Sequence, residues 1–491
     1  MSAKLTNIFT QLKQEKYLVL IVGIFSLIFA SISFVNHYNF RTFSLDLGLY
    51  TNALYDYAHL QFNDSTTFKT TPENLLADHF DLYLPLLSLF SYIFKSYTLL
   101  IFQWLSLIIG GIGVYQLMLF KGASRRISHI AICHFFLFFG VYSALSFDYH
   151  SNVIASMIIP WFILAILKKQ KTRGLLLLIA MLIAKENMSL ILAFVTLGLA
   201  LDQWKNKPTR NHLLTLTGIC LAYFLLIIGF VMPALSNSNQ YPHFHYSALG
   251  ENGKDALLYL LQHPFDALHM LFTNHSNHVL GDYVKIETFL FLSFAGLPFL
   301  FKKPQYLIML IPVITQKMFH DNPLMWSFNF QYNIEFAPII SIGLFSIIME
   351  LKSRKTQTIV GFAAVILTLS ATIRSMDRTV FWTDKTRVRI YKSEHYFRNY
   401  DVDFVHKTLN LISDDAVISA QSPFVPHLAL RQKIYEFPVI KDATLIVIHR
   451  RENPDPMTQE MFEFKTDSLL HSPDWSVKID NGELLLLEKK K

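Results

Sequence analysis

The sequence is poor in charge and in cysteine. Charged residues make up 16% of the 491 residues, whereas a soluble chain carries about 25%. The low charge excludes a soluble single-domain enzyme, and the many apolar residues exclude a disordered chain. Cys133 and Cys220 both fall within apolar runs, so a disulfide framework is excluded as well. The C-terminal tail lacks a glycine-rich phosphate loop, which leaves nucleotide binding without support.

Apolar residues are abundant instead, and they are arranged in continuous runs. Hydrophobic residues make up 52% of the chain and the mean hydropathy is +0.34. Runs of about 16–22 residues predict membrane-spanning helices rather than the short alternating segments of a β-barrel. The runs are 17–36, 97–119, 129–147, 152–168, 174–201, 213–233, 285–301, 305–320, 330–350 and 357–374. The first run predicts an uncleaved helix, and the shorter stretch 82–94 predicts a helix at the membrane interface.

Two charged residues interrupt the run 174–201 near its middle. Basic residues flank both ends of this run, so the positive-inside rule places both flanks in the cytoplasm. A single helix cannot begin and end on the same side of a membrane. We therefore expect two short helices with Lys185-Glu186-Asn187 at their apex, deep in the membrane or at the floor of a wet cavity.

The positions of the basic residues also predict the orientation of the chain. With the split run, the chain has about eleven spans, with its amino terminus in the cytoplasm. The net charge of +7 comes from short loops of the membrane part, so nucleic-acid binding is not indicated. Residues 1–376 form the predicted transmembrane domain, whose large outer loops are 37–96 and 234–284. We expect the protein in the bacterial cytoplasmic (inner) membrane as a multi-pass protein.

The tail from 377 to 491 differs in composition and has balanced charge, with 17 basic and 18 acidic residues. A helix-like stretch at 403–411 precedes strand-like runs at 416–419 and 444–448, and another apolar run lies at 483–488. This pattern predicts a small soluble α/β domain on the outer face of the membrane. The predicted fold is therefore an all-α polytopic bundle with a small α/β domain at its C-terminus.

Asp46 is the most informative residue of the first outer loop. It lies just beyond the first apolar run, inside an otherwise apolar stretch, and Arg41 stands five residues before it. A carboxylate at the mouth of a membrane cavity can act as a general base or as a metal ligand. It can equally cap the helix that follows. The sequence alone leaves both interpretations open.

The same loop contains two carboxylates and a histidine within four residues. Asp78, His79 and Asp81 have oxygen and imidazole atoms that suit a divalent ion such as Mg or Mn. They can also cap the helix that begins near Leu82. A divalent metal is the one cofactor that the sequence indicates.

Further polar residues are predicted to line a cavity at the outer side of the membrane. Asp148 and His150 lie in a very short outer turn, which needs polar residues for its own sake. Lys185 and Glu186 have a high free-energy cost at membrane depth. They indicate either an anion-binding lysine oriented by its glutamate or an ion pair that turns the chain. The predicted cavity is completed by the residues that open the run 330–350, Tyr332 and Glu335.

Taken in order, these motifs resemble the bacterial membrane family called domain of unknown function 2079. The matching stretches are Ser44–Tyr50, Asp78–Asp81, Phe147–His150, Lys185–Asn187 and Asp415–Arg431. Members of that family usually carry a further acidic residue after Lys-Glu. This chain has Asn187 there, which leaves the cavity one negative charge poorer.

That family in turn is similar to the C-type glycosyltransferase superfamily, whose members use sugars carried on polyprenyl phosphate. The resemblance implies transfer of a hexose or pentose, with inversion, to an unknown acceptor on the outer face of the membrane. It also implies that Asp46 is the catalytic carboxylate. Lys185 or Arg41 would then bind the donor phosphate, because the leaving phosphate needs a cation.

Two other interpretations remain open. Paired charges and broken helices at membrane depth are also typical of transporters, so the chain can be a flippase for a lipid-linked saccharide. A non-catalytic lipid-binding protein of the same fold is the third interpretation. The large outer loop and the soluble outer domain favour the enzyme, because transport needs neither of them.

Overall fold

Helices dominate the computed structural model, which describes residues 15–67 and 69–490 and is 61% helical. Helices occupy every apolar run of the sequence. The helices of the first half are α1 (Lys16–Tyr38), α2 (Leu49–Ala58), α3 (Leu75–Asp78), α4 (Tyr83–Leu87), α5 (Ser91–Phe94), α6 (Thr98–Phe120), α7 (Arg125–Phe136), α8 (Phe139–Leu145), α9 (Ser151–Leu167), α10 (Lys171–Leu182), α11 (Met188–Asp202) and α12 (Lys207–Leu226).

The remaining elements follow in chain order. The helices are α13 (Met232–Leu235), α14 (Gly253–Gln262), α15 (Pro264–Met270), α16 (Val284–Phe294), α17 (Pro304–Met318), α18 (Pro323–Trp326), α19 (Phe336–Ile348), α20 (Arg354–Asp377), α21 (Val402–Leu409), α22 (Val425–Leu428) and α23 (Gln459–Leu470). The strands are β1 (Ile418–Ala420), β2 (Ile434–Glu436), β3 (Leu445–His449), β4 (Trp475–Asp480) and β5 (Leu484–Lys489).

Several helices are long and apolar enough to cross a membrane. Among the described residues, four helical segments meet this condition, and a fifth does if α7 and α8, which meet at 45°, count as one span. The four segments are Lys16–Tyr38, Tyr83–Phe120, Lys207–Leu235 and Arg354–Asp377. Helices α9, α11 and α19 are apolar but shorter. The chain is thus a helical membrane protein, and its predicted cytoplasmic start, residues 1–14, lies outside the described residues.

The predicted break within the run 174–201 is confirmed. Helix α10 ends at Leu182 and α11 begins at Met188, so Lys185 and Glu186 lie in the segment between them. The Ser189 hydroxyl donates to the Glu186 carbonyl at 2.5 Å and thereby satisfies a backbone acceptor at the start of α11.

The stretch 82–94 forms short helical pieces rather than one helix. Helices α4 and α5 are separated by a 3₁₀ turn, Ser88–Phe90, and Lys95 adopts a positive φ of 50° before α6 begins. Leu86 and Leu89 are largely exposed on this segment, as are Tyr92 and Ile93. Exposed apolar side chains on short helices suit the predicted location at a membrane interface.

The tail forms the expected small mixed sheet with helices. The strand order is β2-β1-β3-β5-β4, in which β1 is parallel to both its neighbours and β5 is antiparallel to both of its own. The sequence pattern located β1, β3, β5 and α21, whereas β2 and β4 were not predicted. Fully buried β3, with apolar residues throughout Leu445–Ile448, lies at the centre of this sheet.

The described residues divide into two compact units, and neither is continuous in sequence. The first unit contains the described residues up to Ile32, Gln103–Phe230 and Pro242–Arg389. The second unit contains Ser33–Phe102, Val231–Tyr241 and Ile390–Lys491. The first outer loop therefore groups with the tail, a grouping that differs from the linear division at residues 376 and 377 expected from the sequence.

Long-range contacts hold the second unit together. Phe40, from the start of the first outer loop, is fully buried in the same apolar cluster as Val405 and Val425 of the tail. The Asn52 amide donates to the carbonyls of Ala429 at 3.1 Å and Arg431 at 2.8 Å. Because these bonds satisfy buried backbone acceptors, they fix helix α2 onto the tail domain.

Candidate functional sites

Asp46 occupies a strained turn of the second unit. Residues Ser44–Gly48 form a π-helical turn in which Asp46 has φ 69° and ψ −93°. Such a conformation is uncommon outside glycine and costs on the order of 1–3 kcal/mol. Asp46 is partly exposed, while the turn on either side of it is largely buried. The N-cap interpretation does not describe this geometry, because the cap residue of α2 is Gly48 and no side chain caps it.

Close packing holds this turn in place. The Ser44 amide donates to the Ser422 hydroxyl at 3.1 Å. A Cβ atom added at Gly48 would lie 2.9 Å from Cγ1 of Val425, which is closer than real Cβ contacts. Glycine permits this approach, and the close packing at Gly48 fixes the turn that carries the Asp46 carboxylate.

Arg41 is buried, and its guanidinium acts on the backbone of the tail. It donates to the carbonyls of Glu394 at 2.7 Å and Phe397 at 2.8 Å, and also to that of His395. Three carbonyl oxygens from one short segment are thereby satisfied by one side chain. The geometry gives Arg41 a structural task, while its predicted role in phosphate binding stays a prediction.

A second acidic residue of this loop was not predicted from the sequence. Asp56 on α2 is only 8% exposed, and its carboxylate accepts from the Asn63 amide at 2.9 Å. Burial raises the pKa of Asp56 to about 6, so this carboxyl titrates near neutral pH. A single acidic residue in an apolar helix is the only sequence signal that could have pointed to it.

The three predicted metal ligands lie around the short helix α3. Asp78 is the last residue of α3, His79 follows it, and both are partly buried. Asp81 is buried, and its carboxylate accepts from the Tyr83 amide at 2.8 Å at the start of α4. This contact is a local turn just before α4, whose N-cap residue is Leu82 and which no side chain caps. The metal role of the three residues stays a prediction.

The turn that contains Asp148 and His150 belongs to the first unit and is tightly fixed. The Gln103 side chain donates to the Asp148 carbonyl at 2.7 Å and accepts from the His150 amide at 2.8 Å. Asp148 has a positive φ of 50°, and its carboxylate forms an ion pair with Arg387. The Asp148 and Arg387 side chains are 2% and 11% exposed, so this pair is buried.

A pocket opens beside this ion pair, and we call it the Lys385 pocket. Its free space, counted out to the mouth, is about 380 Å³. Its lining is polar and contains Ser143, Ser146, Asn329, Phe330, Ser375, Thr383, Asp384, Lys385, Arg387 and Val388. The burial of Lys385 could not be predicted from the sequence, because a lysine shortly after an apolar run ordinarily extends to water.

The remaining predicted cavity residues gather around Glu335 in the first unit. The Asn152 amide donates to the buried Glu335 carboxylate at 2.7 Å, and the charges of Lys317 and Lys185 both act on it. The Lys317 ammonium donates to the carbonyls of Met325 and Ser327 and lies 5.9 Å from the Tyr332 ring. Glu335 is therefore a buried carboxylate that accepts from Asn152 and is influenced by the charges of two lysines.

Asp46 and Arg41 thus belong to the second unit with Asp78, His79 and Asp81, whereas the other predicted residues belong to the first.

Residues 36–463 match the family model described as Predicted membrane protein (DUF2079). The chain belongs to this family. The DUF2079 match includes both Asp46 and Lys385, and it confirms the family that the sequence motifs indicated. No curated protein matches this DUF2079 chain.

Proposed function

We propose that the protein is a membrane glycosyltransferase that transfers a sugar from a polyprenyl-phosphate donor to an acceptor on the outer face of the cytoplasmic membrane. The strained turn at Asp46 is the observation that carries this proposal. Backbone strain of this kind persists only where the surrounding structure enforces it, and it is concentrated at functional sites. The resemblance to C-type glycosyltransferases assigns catalysis to this same residue.

The finer architecture belongs to this proposal. It comprises about eleven spans in a C-type glycosyltransferase fold, a cytoplasmic amino terminus and an extracytoplasmic tail domain. The break between α10 and α11 supports two short spans in place of one. The grouping of the first outer loop with the tail supports a location on the same side of the membrane for these two segments.

The proposed reaction is a direct displacement at the anomeric carbon. Asp46 takes the proton of the acceptor hydroxyl as its oxygen forms the new glycosidic bond. The bond between the anomeric carbon and the phosphate oxygen breaks, and the polyprenyl phosphate leaves with the electron pair. A cation must stabilise the departing phosphate. Lys185 and Arg41 are the two predicted cations, and the Arg41 guanidinium already donates to three backbone carbonyls.

A divalent ion, Mg or Mn, would supply the same stabilisation if Asp78, His79 and Asp81 held it. Oxygen and imidazole ligands suit such ions. Asp78 and His79 are partly buried and lie next to each other in sequence, as a loop-borne ligand pair requires. The Asp81 carboxylate accepts a hydrogen bond from the Tyr83 amide, and its role as a metal ligand is part of the proposal.

A transfer assay tests the proposal. Purified full-length protein is incubated with radiolabelled polyprenyl-phosphate hexoses and pentoses, and sugar release and transfer are measured for the wild type, for Asp46→Asn and for Asp64→Asn. Asp64 is an exposed carboxylate of the same loop and provides the matched control. We expect turnover in the wild type and the control and none in Asp46→Asn. Equal turnover in all three would refute the assignment of Asp46.

Transport of a lipid-linked saccharide is the alternative, and the buried cluster around Glu335 favours it. Ionisable groups near the middle of apolar segments often line a substrate path. Flippase activity would depend on Lys185 and Glu335 and not on Asp46. Transport of a fluorescent polyprenyl-phosphate sugar across the membrane of vesicles that contain the Asp46→Asn variant would therefore support this alternative. A non-catalytic lipid-binding protein would depend on neither residue for turnover.

A further inference from the structure

Among the described residues of the first unit, three lysines are buried, and Lys385 differs from the other two in its surroundings. The Lys285 ammonium contacts the Met270 carbonyl at 2.6 Å and the His275 ring nitrogen at 2.7 Å. The Lys317 ammonium donates to two carbonyls and lies near the Glu335 charge. These two lysines are therefore solvated by the protein itself, as a buried ammonium requires.

Lys385 has fewer partners. It is 6% exposed, and within the described part of the chain its ammonium donates only to the Asn329 side-chain oxygen, at 2.5 Å. The same Asn329 oxygen also accepts from the Thr383 hydroxyl at 3.1 Å. An ammonium has three donors, so most of its hydrogen-bonding capacity is directed elsewhere. Burial lowers the pKa of Lys385 to about 8, which reflects this incomplete compensation.

The charges of Glu287 and Asp384 act on Lys385, but within the described residues no carboxylate accepts a hydrogen bond from its ammonium. Asp384 is exposed and accepts from the amide and hydroxyl of Thr386. Glu287 accepts from the Val380 amide at 2.8 Å. Asp148 is engaged by Arg387. Each of these carboxylates has its own hydrogen-bond donors, so a negative charge that matches Lys385 directly is still needed.

The Lys385 pocket offers suitable groups for a tetrahedral oxyanion. Arg387 lines it together with Lys385, and so do Ser143, Ser146 and Ser375. In the ligand-free protein these serine hydroxyls donate to nearby helix carbonyls, and a rotation about the side chain would direct each of them to a bound oxygen. A lysine, an arginine and several hydroxyls form a typical environment for phosphate.

We infer that the Lys385 pocket binds a phosphate group, and that its ligand is the phosphate of a polyprenyl-phosphate carrier rather than free inorganic phosphate. The choice of the lipid source rests on the proposed function. Binding of the phosphate itself rests only on the pocket. Bound phosphate would pair with the Lys385 ammonium and complete its hydrogen bonds, so ligand affinity is expected to depend strongly on this side chain.

Thermal unfolding of the purified full-length protein in detergent tests this inference without any need for turnover. Titrations use farnesyl phosphate as a short polyprenyl phosphate, inorganic phosphate as the free ion, and farnesol as the control for the lipid chain alone. A ligand that binds only the folded protein raises the midpoint of unfolding, and the stabilisation grows with the logarithm of the ligand concentration divided by Kd. We expect farnesyl phosphate to raise the midpoint and farnesol to leave it unchanged.

Two lysine variants locate the effect. Lys385→Met removes the charge but keeps the length of the side chain, and Lys392→Met is the control because Lys392 is exposed. We expect Lys385→Met to bind farnesyl phosphate about 10- to 100-fold more weakly, because a charge-assisted hydrogen bond is lost, and Lys392→Met to bind as the wild type does. Lys385→Met also removes a poorly compensated buried charge, so this variant should fold. Lys385→Arg keeps a positive charge and should recover part of the affinity for farnesyl phosphate.

Each outcome supports or refutes the phosphate site or the lipid source of its ligand. A response to inorganic phosphate as strong as that to farnesyl phosphate would support the phosphate site and refute the lipid source. No response of the wild type to either phosphate, or an equal response of Lys385→Met, would refute the site. Loss of transfer in Asp46→Asn with phosphate binding retained, or the reverse, separates the proposed function from this inference.

Discussion

Asp46 and Asp148 look alike in the sequence but differ in the structure. Each aspartate lies next to an apolar helix, and each has a positive φ, 69° for Asp46 and 50° for Asp148. Asp148 is buried, paired with Arg387 and fixed through its backbone by Gln103. Asp46 is partly exposed in a turn that is fixed by backbone packing at Gly48. The comparison teaches that backbone strain marks both residues, whereas burial in an ion pair distinguishes Asp148.

The largest expected effect separates the two residues by activity. Asp46→Asn keeps the size of the side chain but removes the base, so we expect transfer to fall by about 10²- to 10⁴-fold. Its thermal midpoint should change less than that of Asp148→Asn, because Asp46 is partly exposed whereas Asp148 is buried in an ion pair. Initial rates and thermal unfolding, measured on the same preparation, check both statements.

The next effect is on stability and belongs to Asp148. Asp148→Asn leaves the Arg387 guanidinium buried without its counter-charge, so the free energy of unfolding should fall by about 3–5 kcal/mol. Thermal and denaturant unfolding in detergent measure this loss. The double variant Asp148→Asn with Arg387→Met should recover most of it. A single variant as stable as the wild type would show that the ion pair does not commit Asp148 to structure.

A smaller effect tests whether the packing at Gly48 positions Asp46. Gly48→Ala places a Cβ atom 2.9 Å from Val425, so we expect a loss of about 1–3 kcal/mol. Adding Val425→Ala makes room for the new methyl group and should restore transfer activity more than stability. Unchanged activity in Gly48→Ala would contradict the view that this packing positions Asp46.

The smallest effect concerns pH and tests Asp56 as a rival base in the same loop. Burial raises the pKa of Asp56 to about 6, so between about pH 4 and 6 the folded state binds more protons than the unfolded state. The contribution of Asp56 to stability therefore falls as pH rises through this window, by on the order of 2 kcal/mol. Asp56→Asn should remove this pH dependence of unfolding. If it also abolishes transfer while Asp46→Asn does not, Asp56 is the base.

Much of the fold could be predicted because the signals are local. The apolar runs gave the helices, and the charges of Lys185 and Glu186 gave the break between α10 and α11. Short apolar runs predicted β1, β3 and β5. Strand β4 was missed because its residues after Trp475 are mostly exposed, and β2 because three residues are too few to show a pattern.

The sites were predicted less completely because they depend on residues far apart in the chain. Asp148 and Arg387 are 239 positions apart, and Lys385 and Asn329 are 56 apart. No spacing rule connects such residues. The sequence did identify Asp148 and Glu335, because ionisable groups beside apolar runs are costly wherever the chain folds.

The sequence by itself determined that the chain is a helical membrane protein, where its helices lie and where one of them breaks, because the transfer of apolar runs out of water depends on local composition. Only the tertiary structure decided that the first outer loop groups with the tail, that Arg41 binds backbone carbonyls, and that Lys385 is buried beside a polar pocket. The burial and pairing of a charge depend on neighbours that the fold brings together, and these neighbours determine its energy.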